Sequence, residues 1–417
     1  MAMTSRRQAR FVYEWASWLL VLCIAGYPFV GMVGALLNLD SSTLSVPFRV
    51  GIVLLSVALL IHRPVRVEWL RGHRWLLAFL GLYLLRLIWD WLVAGIPGAA
   101  EALVFFVATV LLPGFALTLS GASAIPSRLT AWRFLVVGGA TCVLVSAMQY
   151  FGWGVARMVD MDITGGRVYF EAVNPISLGH AATTTLIAVL SVSFQPMRPL
   201  RRLALLAAGA AAASTLLLAA SRGPLLALVI CTIAFGIATG RWRWIALITV
   251  ALVSQLLSAD SLLVERLSTG AEDESSLERL LVQGAAIAQF FDRPILGSAF
   301  TELQSLEYPH NLFIETGMAL GLVGLIVLVR LIYVAGVQFV RRLRAGEVLV
   351  PLLLLQYFVA IQFSGSLWGS TSFWALMAVV LGLHSARAPR RPALACRMQA
   401  RSPAAHTLAN APATPTA

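Results

Sequence analysis

Long apolar runs, separated by short arginine-bearing segments, dominate this sequence of 417 residues. A helix needs about 20 apolar residues to cross the hydrocarbon core of a bilayer. Of all residues, 59% are hydrophobic and only 12% are charged, a pattern that excludes the soluble globular classes. We therefore predict an all-α polytopic membrane protein with about twelve transmembrane helices, in the windows 15–37, 44–62, 75–94, 102–120, 132–151, 174–194, 203–220, 223–240, 242–258, 311–333, 349–367 and 371–386.

Two of these windows, 203–220 and 223–240, are close enough in sequence to be read as one long helix. The residues between them include Arg222, followed by Gly223 and Pro224, which place a charge and two helix breakers at the junction. The sequence therefore predicts a tight turn between two spans.

The distribution of arginine predicts the orientation. All 31 basic residues are arginine. With the N-terminus inside, the cytoplasmic connections hold 22 arginines and the outward connections hold six, as the positive-inside rule requires. We therefore expect both termini to be cytoplasmic, with a transmembrane domain over 1–387. Residues 388–417, rich in Ala, Pro, Thr and Arg, are expected to form a disordered cytoplasmic tail.

Two outward loops, 152–173 and 259–309, are much longer than the others, and loops of this length are usually functional or disordered. Within the second loop, residues 276–291 have helical apolar spacing and are followed by Asp292, Arg293 and Pro294, which end the pattern. We expect an amphipathic helix here, lying on the membrane surface.

Three outward arginines are candidates for binding an anion, and the planar guanidinium group suits bidentate recognition of phosphate. Arg266 and Arg279 lie in a loop with nine acidic residues. They follow Glu265 and Glu278, so solvation or pairing with loop carboxylates is an equally simple interpretation. Arg222 has no acidic residue within ten positions, which favours a lipid phosphate or a substrate as its partner. Snorkelling to lipid headgroups remains the alternative.

His310 is the outward histidine that begins a span. Pro309 is expected in the first turn of this helix, where its missing N–H costs nothing, so His310 and Asn311 would lie at the helix N-terminus. The helix dipole there disfavours imidazolium and would keep the ring neutral, the state of a general base. A structural hydrogen bond at the membrane interface is the alternative role.

Further polar and small residues have structural interpretations. Gly317, Gly321 and Gly324 recur at helical spacing and predict close packing of another helix. Glu315, and the pair Arg86 and Asp90, are interpreted as internal ion pairs that tie helices together, with catalysis as the alternative. The pair Asp160 and Asp162 is a D-x-D pattern that chelates divalent cations in some loops, but it arises easily by chance, and we assign no metal site or cofactor.

Several of these segments resemble one family. Residues 308–324, with His310, Asn311, Glu315 and the three glycines, are similar to the signature of the O-antigen ligase and polymerase superfamily. The turn around Arg222 resembles the arginine turn of that family, and residues 276–297 resemble the segment before its histidine. Arg167 and the Asn174-Pro175-Ile176 element are similar to a further recurring part, so the resemblance spans 165–324.

This resemblance implies a GT-C-like glycosyltransferase of the bacterial inner membrane, with a periplasmic active site. It implies transfer of a glycan from undecaprenyl diphosphate to a sugar hydroxyl of lipid A-core, with inversion and without a metal. His310 would be the base, and Arg222 with either Arg266 or Arg279 would hold the diphosphate. Asn311, Asn174 and Arg167 would support the site, and no nucleic-acid partner is expected.

Other activities remain open at this point. A polymerase of the same superfamily would use a second lipid-linked repeat as its acceptor, although the Asn174-Pro175-Ile176 element looks more like ligases. The related protein O-glycosylating transferases usually carry an added C-terminal region. A flippase for lipid-linked glycans is the competing class, and it would be expected to show internal pseudo-symmetry and helices broken near the bilayer midplane.

Overall fold

A computed structural model describes residues 2–62, 72–120, 127–151, 173–242 and 274–382. All regular elements in these ranges are helical. They are α1 (Ala2–Val21), α2 (Tyr27–Leu36), α3 (Ser41–Ile61), α4 (Arg74–Leu92), α5 (Ala99–Phe105), α6 (Leu112–Leu119), α7 (Ser127–Phe151), α8 (Pro175–Val192), α9 (Pro199–Ala219), α10 (Arg222–Thr239), α11 (Glu274–Asp292), α12 (Leu312–Arg344), α13 (Leu349–Ala360) and α14 (Thr371–Leu381).

Nine helical segments of the described chain are long and apolar enough to cross a membrane, and they coincide with nine of the predicted windows. Two of the nine contain a short π-helical segment: Leu22–Gly26 joins α1 to α2, and Phe106–Leu111 joins α5 to α6. The protein is therefore a polytopic membrane protein, as predicted, and its described residues are all-helical apart from turns and loops. The predicted window 242–258 and the predicted tail 388–417 lie almost wholly or wholly outside the described residues.

The window 349–367 was predicted too long. α13 ends at Ala360 after 12 residues, and residues 361–370 form a loop before α14 begins. The physical reason is local, because this stretch contains Gly365 with φ of 112° and Gly369 among serines, which favour turns over helix. We call residues 361–370 the divider loop.

The predicted tight turn around Arg222 is confirmed. α9 ends at Ala219 and α10 begins at Arg222, so only two residues separate the helices. Pro224 lies against Gly179 of α8, where an added Cβ would come within 2.7 Å of the proline ring. The turn is thereby held beside the first turns of α8.

α12 is broken at Gly321, where the backbone has φ of 63° and ψ of −156°. The prediction that the glycines admit a neighbouring helix was wrong for Gly321, because the segment that approaches it is not helical. This segment, residues 293–300, runs from the end of α11 and is called the strap. An added Cβ on Gly321 would overlap the carbonyl group of Ile295, so glycine is required by both the conformation and the close approach.

The strap satisfies the backbone groups that the break leaves without helical partners. This is necessary in a bilayer, where an unpaired backbone N–H or C=O costs several kcal/mol. The hydrogen bonds are Leu322 N–H to the Pro294 oxygen at 2.7 Å, Val323 N–H to the Ile295 oxygen at 3.3 Å, and Ser298 N–H to the Met318 oxygen at 2.8 Å.

A second set of bonds ties the strap to α4. Arg86 and Asp90 form the predicted i,i+4 ion pair within α4, with 3.4 Å between nitrogen and oxygen. Their role differs from the prediction, because they bind the non-helical strap and do not tie two helices together. Together they hold the strap. Arg86 donates to the backbone oxygens of Leu296 (2.7 Å), Gly297 (3.3 Å) and Ser298 (3.0 Å), and Asp90 accepts from the Phe300 N–H (2.8 Å).

We predict that Gly321→Ala destabilises the fold. A non-glycine residue at this positive φ costs about 1–3 kcal/mol, and displacement of the strap adds to that cost. The melting temperature of the purified protein in detergent should fall clearly below that of the wild type. Gly336→Ala on the same helix is the control, because nothing lies within 4 Å of the Cβ it adds. Equal melting temperatures for Gly321→Ala and the wild type would show that the docking is not required.

Candidate functional site

The helix that follows His310 starts later than the predicted position of Pro309 in its first turn. The helix begins at Leu312, and Asn311 is its N-cap. The Asn311 side chain accepts hydrogen bonds from the N–H groups of Phe313 (3.0 Å) and Ile314 (3.2 Å). The expectation that Pro309 occupies the first turn was therefore wrong, because the asparagine cap sets the start of the helix and leaves Pro309 before it.

His310 has a left-handed backbone conformation, with φ of 53°. For a residue other than glycine this conformation costs about 1–3 kcal/mol, and it persists only where the surroundings impose it. The ring lies against Tyr308, with 4.3 Å between the ring centroids. Its Nδ1 atom is buried and has no hydrogen-bond partner among the described residues. The imidazole thus packs against Tyr308, and its buried Nδ1 stays unpaired among the described residues.

Two glutamines of α11 hold the chain before His310. The Gln283 side chain donates to the Pro309 oxygen at 3.0 Å. Gln289 donates to the Thr301 oxygen at 3.1 Å and accepts from the Leu303 N–H at the same distance. The amphipathic helix predicted over 276–291 is observed as α11, and one of its roles is to position this segment.

Burial, and after it the positive charge of Arg279, together lower the pKa of His310 to about 4. The ring is therefore neutral at pH 7. The helix dipole was expected to keep the ring neutral, whereas in the structure its neutrality results first from loss of solvent and then from a neighbouring guanidinium.

Arg279 and Asn311 both contact the divider loop. Arg279 donates to the Phe363 oxygen at 3.3 Å, and the Asn311 side chain donates to the Gln362 oxygen at 3.4 Å. Two adjacent carbonyl groups of one loop thus accept hydrogen bonds from Arg279, a candidate for binding the anion, and from Asn311, the cap residue beside the candidate base. Of the two alternatives for the second arginine, Arg279 lies close to His310, while Arg266 lies outside the described residues.

Arg222 lies at the same end of the bundle. Cys231 donates to the Leu352 oxygen at 3.3 Å, which sets the register between α10 and α13. The start of α10 and the end of α13 both lie beside the start of α8, so these two helices are antiparallel. Counting back from Cys231 to Arg222 and forward the same distance from Leu352 leads to Ile361, the first residue of the divider loop. The arginine turn and the divider loop are therefore at similar depth.

The remaining predicted site residues have different outcomes. Asn174 caps α8, and its side chain accepts from the Ser177 N–H at 2.8 Å, which gives it a structural role. Arg167, and the D-x-D pair Asp160 and Asp162, lie outside the described residues.

Glu315 is fully buried, and its interpretation as an ion pair was wrong for the part of the chain that the structure describes. One carboxylate oxygen accepts from the Leu367 N–H at 2.9 Å and from the Tyr83 hydroxyl at 3.4 Å. The other oxygen has no hydrogen-bond partner among those residues. Glu315 therefore anchors the divider loop to α12. No local sequence pattern predicts this role, because Leu367 is 52 residues away.

The fold and this constellation define a polytopic helical membrane protein with a half-buried neutral histidine and arginines at one end of the bundle. The profile of a family described as O-antigen ligase matches residues 207–329, which include the arginine turn, Arg279 and His310. The resemblance of the chain to the O-antigen ligase and polymerase superfamily is thereby confirmed. Members of this family are glycosyltransferase-like enzymes. A search of curated proteins finds no significant match.

We predict that Glu315→Gln keeps the stability of the wild type, because its side-chain oxygen still accepts from Leu367. Glu315→Ala leaves that buried N–H unpaired, which costs about 1–3 kcal/mol, so the melting temperature should fall. Glu307→Ala is the control, since Glu307 is exposed. Equal melting temperatures for Glu315→Ala and Glu315→Gln would contradict the anchoring role.

Proposed function

We propose that this protein is an O-antigen ligase, which transfers a glycan from undecaprenyl diphosphate to a sugar hydroxyl of lipid A-core. The observation that carries the proposal is the family match over 207–329, together with the approach of Arg279 and Asn311 to one loop beside His310. In this proposal the site faces the periplasm from the inner membrane and both termini are cytoplasmic, in agreement with the arginine distribution.

His310 is the general base in this mechanism. The acceptor hydroxyl attacks the anomeric carbon from the face opposite the diphosphate, and its proton passes to the neutral imidazole ring. The new glycosidic bond forms as the bond from the anomeric carbon to the diphosphate oxygen breaks, which inverts the configuration and releases undecaprenyl diphosphate. Support comes from the partial burial of the ring and from its neutral state at pH 7.

Arg222 and Arg279 bind the diphosphate in this proposal. A diphosphate is a good leaving group, and two guanidinium groups stabilise its developing charge through bidentate hydrogen bonds. Arg222 begins α10, so the N-terminal end of a helix also favours the anion. This mechanism needs no metal ion, and transfer should continue in excess EDTA.

A transfer assay with purified protein tests the activity and the acceptor together. Wild type should glycosylate lipid A-core and not a second lipid-linked repeat, and His310→Ala should lose transfer by at least about 100-fold, the usual contribution of a general base. Asn311→Ser, which keeps a capping side chain, should retain transfer and serves as the control for helix position. Transfer to the lipid-linked repeat alone would identify a polymerase. Movement of the glycan across vesicles without a glycosidic bond would support a flippase.

The pH dependence of transfer tests the base. Because His310 acts while neutral, kcat/KM should be constant around pH 7 and should fall as the pH drops through about 4. Arg279→Gln removes a charge that lowers the pKa of His310, so the acid limb should move to higher pH. Arg293→Gln, an exposed arginine that is not a cause of this shift, is the matched control. An acid limb that stays in place in Arg279→Gln would contradict the assignment of His310.

A further inference from the structure

A cavity of about 340 Å³ lies on the other side of the divider loop from His310. It is bounded by α3, the start of α8 and the start of α14, and the volume is in the range of small-molecule sites. Most of its wall is apolar, whereas the divider loop and the start of α14 contribute hydroxyl groups. Representative wall residues are Phe48, Phe105, Ile176, Ser364, Ser370 and Thr371.

Arg49 brings a positive charge into this cavity from within a membrane span. It lies eight residues after Ser41, the first residue of α3, and its guanidinium carbon is 4.9 Å from the ring centroid of Phe105 and 5.8 Å from that of Tyr27. Among the described residues, no carboxylate lies within ion-pair distance of Arg49. A charged side chain in a transmembrane helix is costly, and such residues usually face a cavity and serve a function.

His180 is a second polar group of the same cavity without a partner. It is buried, with 8% of its surface exposed, and its Nδ1 atom has no hydrogen-bond partner in the described part of the chain. The Tyr357 ring lies beside it, at a centroid distance of 5.8 Å. Buried polar atoms in native proteins are nearly always hydrogen-bonded. The unpaired nitrogen of His180 therefore makes this lining residue a candidate hydrogen-bond partner for a ligand in the cavity.

We propose that this cavity binds the phosphate group of a membrane amphiphile. Arg49 supplies the cation, His180 supplies a hydrogen bond, and the N-terminus of α14 adds a favourable dipole. The apolar wall takes the adjoining part of the tail. Next to Arg49, α3 exposes Val46 and Val50, an apolar surface on which the rest of the tail lies.

The cavity is connected to the candidate catalytic site through a series of ring contacts. Phe105, beneath Arg49, packs edge-on against Trp368 at 5.4 Å. Trp368 contacts Tyr308 at 6.3 Å, and Tyr308 contacts His310 at 4.3 Å. The site therefore adjoins the proposed transfer site, yet it uses neither His310 nor Arg222, so its binding can be measured apart from glycosyl transfer.

The test is lipid binding to the purified full chain in a neutral maltoside detergent, followed by native mass spectrometry. The probes are undecaprenyl diphosphate, lipid A, phosphatidylglycerol and inorganic pyrophosphate. For at least one of the three amphiphiles, Arg49→Gln should hold one molecule fewer or bind about tenfold more weakly, because a charge-assisted hydrogen bond is lost. The amphiphile that responds identifies the source of the phosphate.

Arg330→Gln is the matched control. Arg330 also lies in a membrane span over aromatic rings, with its guanidinium carbon 5.1 Å from the Tyr333 centroid, but it does not line this cavity. Its substitution should leave lipid binding unchanged. If Arg49→Gln fails to accumulate, Arg49→Lys and His180→Phe serve as the test, and each should weaken the same probe.

Three outcomes would overturn the proposal. The first is wild-type binding of all three amphiphiles by the Arg49 and His180 variants. The second is an equal loss in Arg330→Gln, which would indicate a nonspecific effect of charge. The third is binding of pyrophosphate that depends on Arg49 as strongly as binding of the amphiphiles does, which would indicate a site for a free anion.

Discussion

Docking of the strap into the break at Gly321 is the interaction on which the candidate site depends. A bilayer offers no water to a broken helix, so the freed amides of α12 must find partners within the protein. The strap supplies these partners, and Arg86 and Asp90 hold it from the other side. The chain between strap and α12 is therefore fixed at both ends. This anchoring explains how His310 is kept in a strained conformation.

The sequence predicts those parts of the fold that depend on local pattern. Apolar windows located the long spans, the residues around Arg222 located a turn, and the helical spacing of 276–291 located α11. The break at Gly321 was not predicted, because glycine at helical spacing is also typical of close helix packing. Only the approach of Ile295, which is distant in sequence, distinguishes a break in the helix from close packing of a second helix.

The candidate site, too, was predictable from the sequence only in part. Residue types and resemblance singled out His310, Arg222 and Arg279 from the sequence alone. The cause of the low pKa of His310 could not be predicted from the sequence, because burial and the proximity of Arg279 are tertiary properties. Glu315 was misinterpreted because a buried carboxylate in a span is expected to pair with a cation. Here it accepts from a backbone N–H and a hydroxyl instead.

The divider loop separates two positive charges that affect His310 differently. Leu367 fixes this loop, since its N–H donates to Glu315 and its oxygen accepts from the Trp374 indole at 2.8 Å. Arg279 lowers the pKa of His310, whereas Arg49, behind the loop, is not among the causes of that shift. Every cation beside a general base reduces its affinity for a proton. In the proposed arrangement, Arg49 binds the phosphate group of a membrane amphiphile from a position where its charge does not lower the pKa of His310.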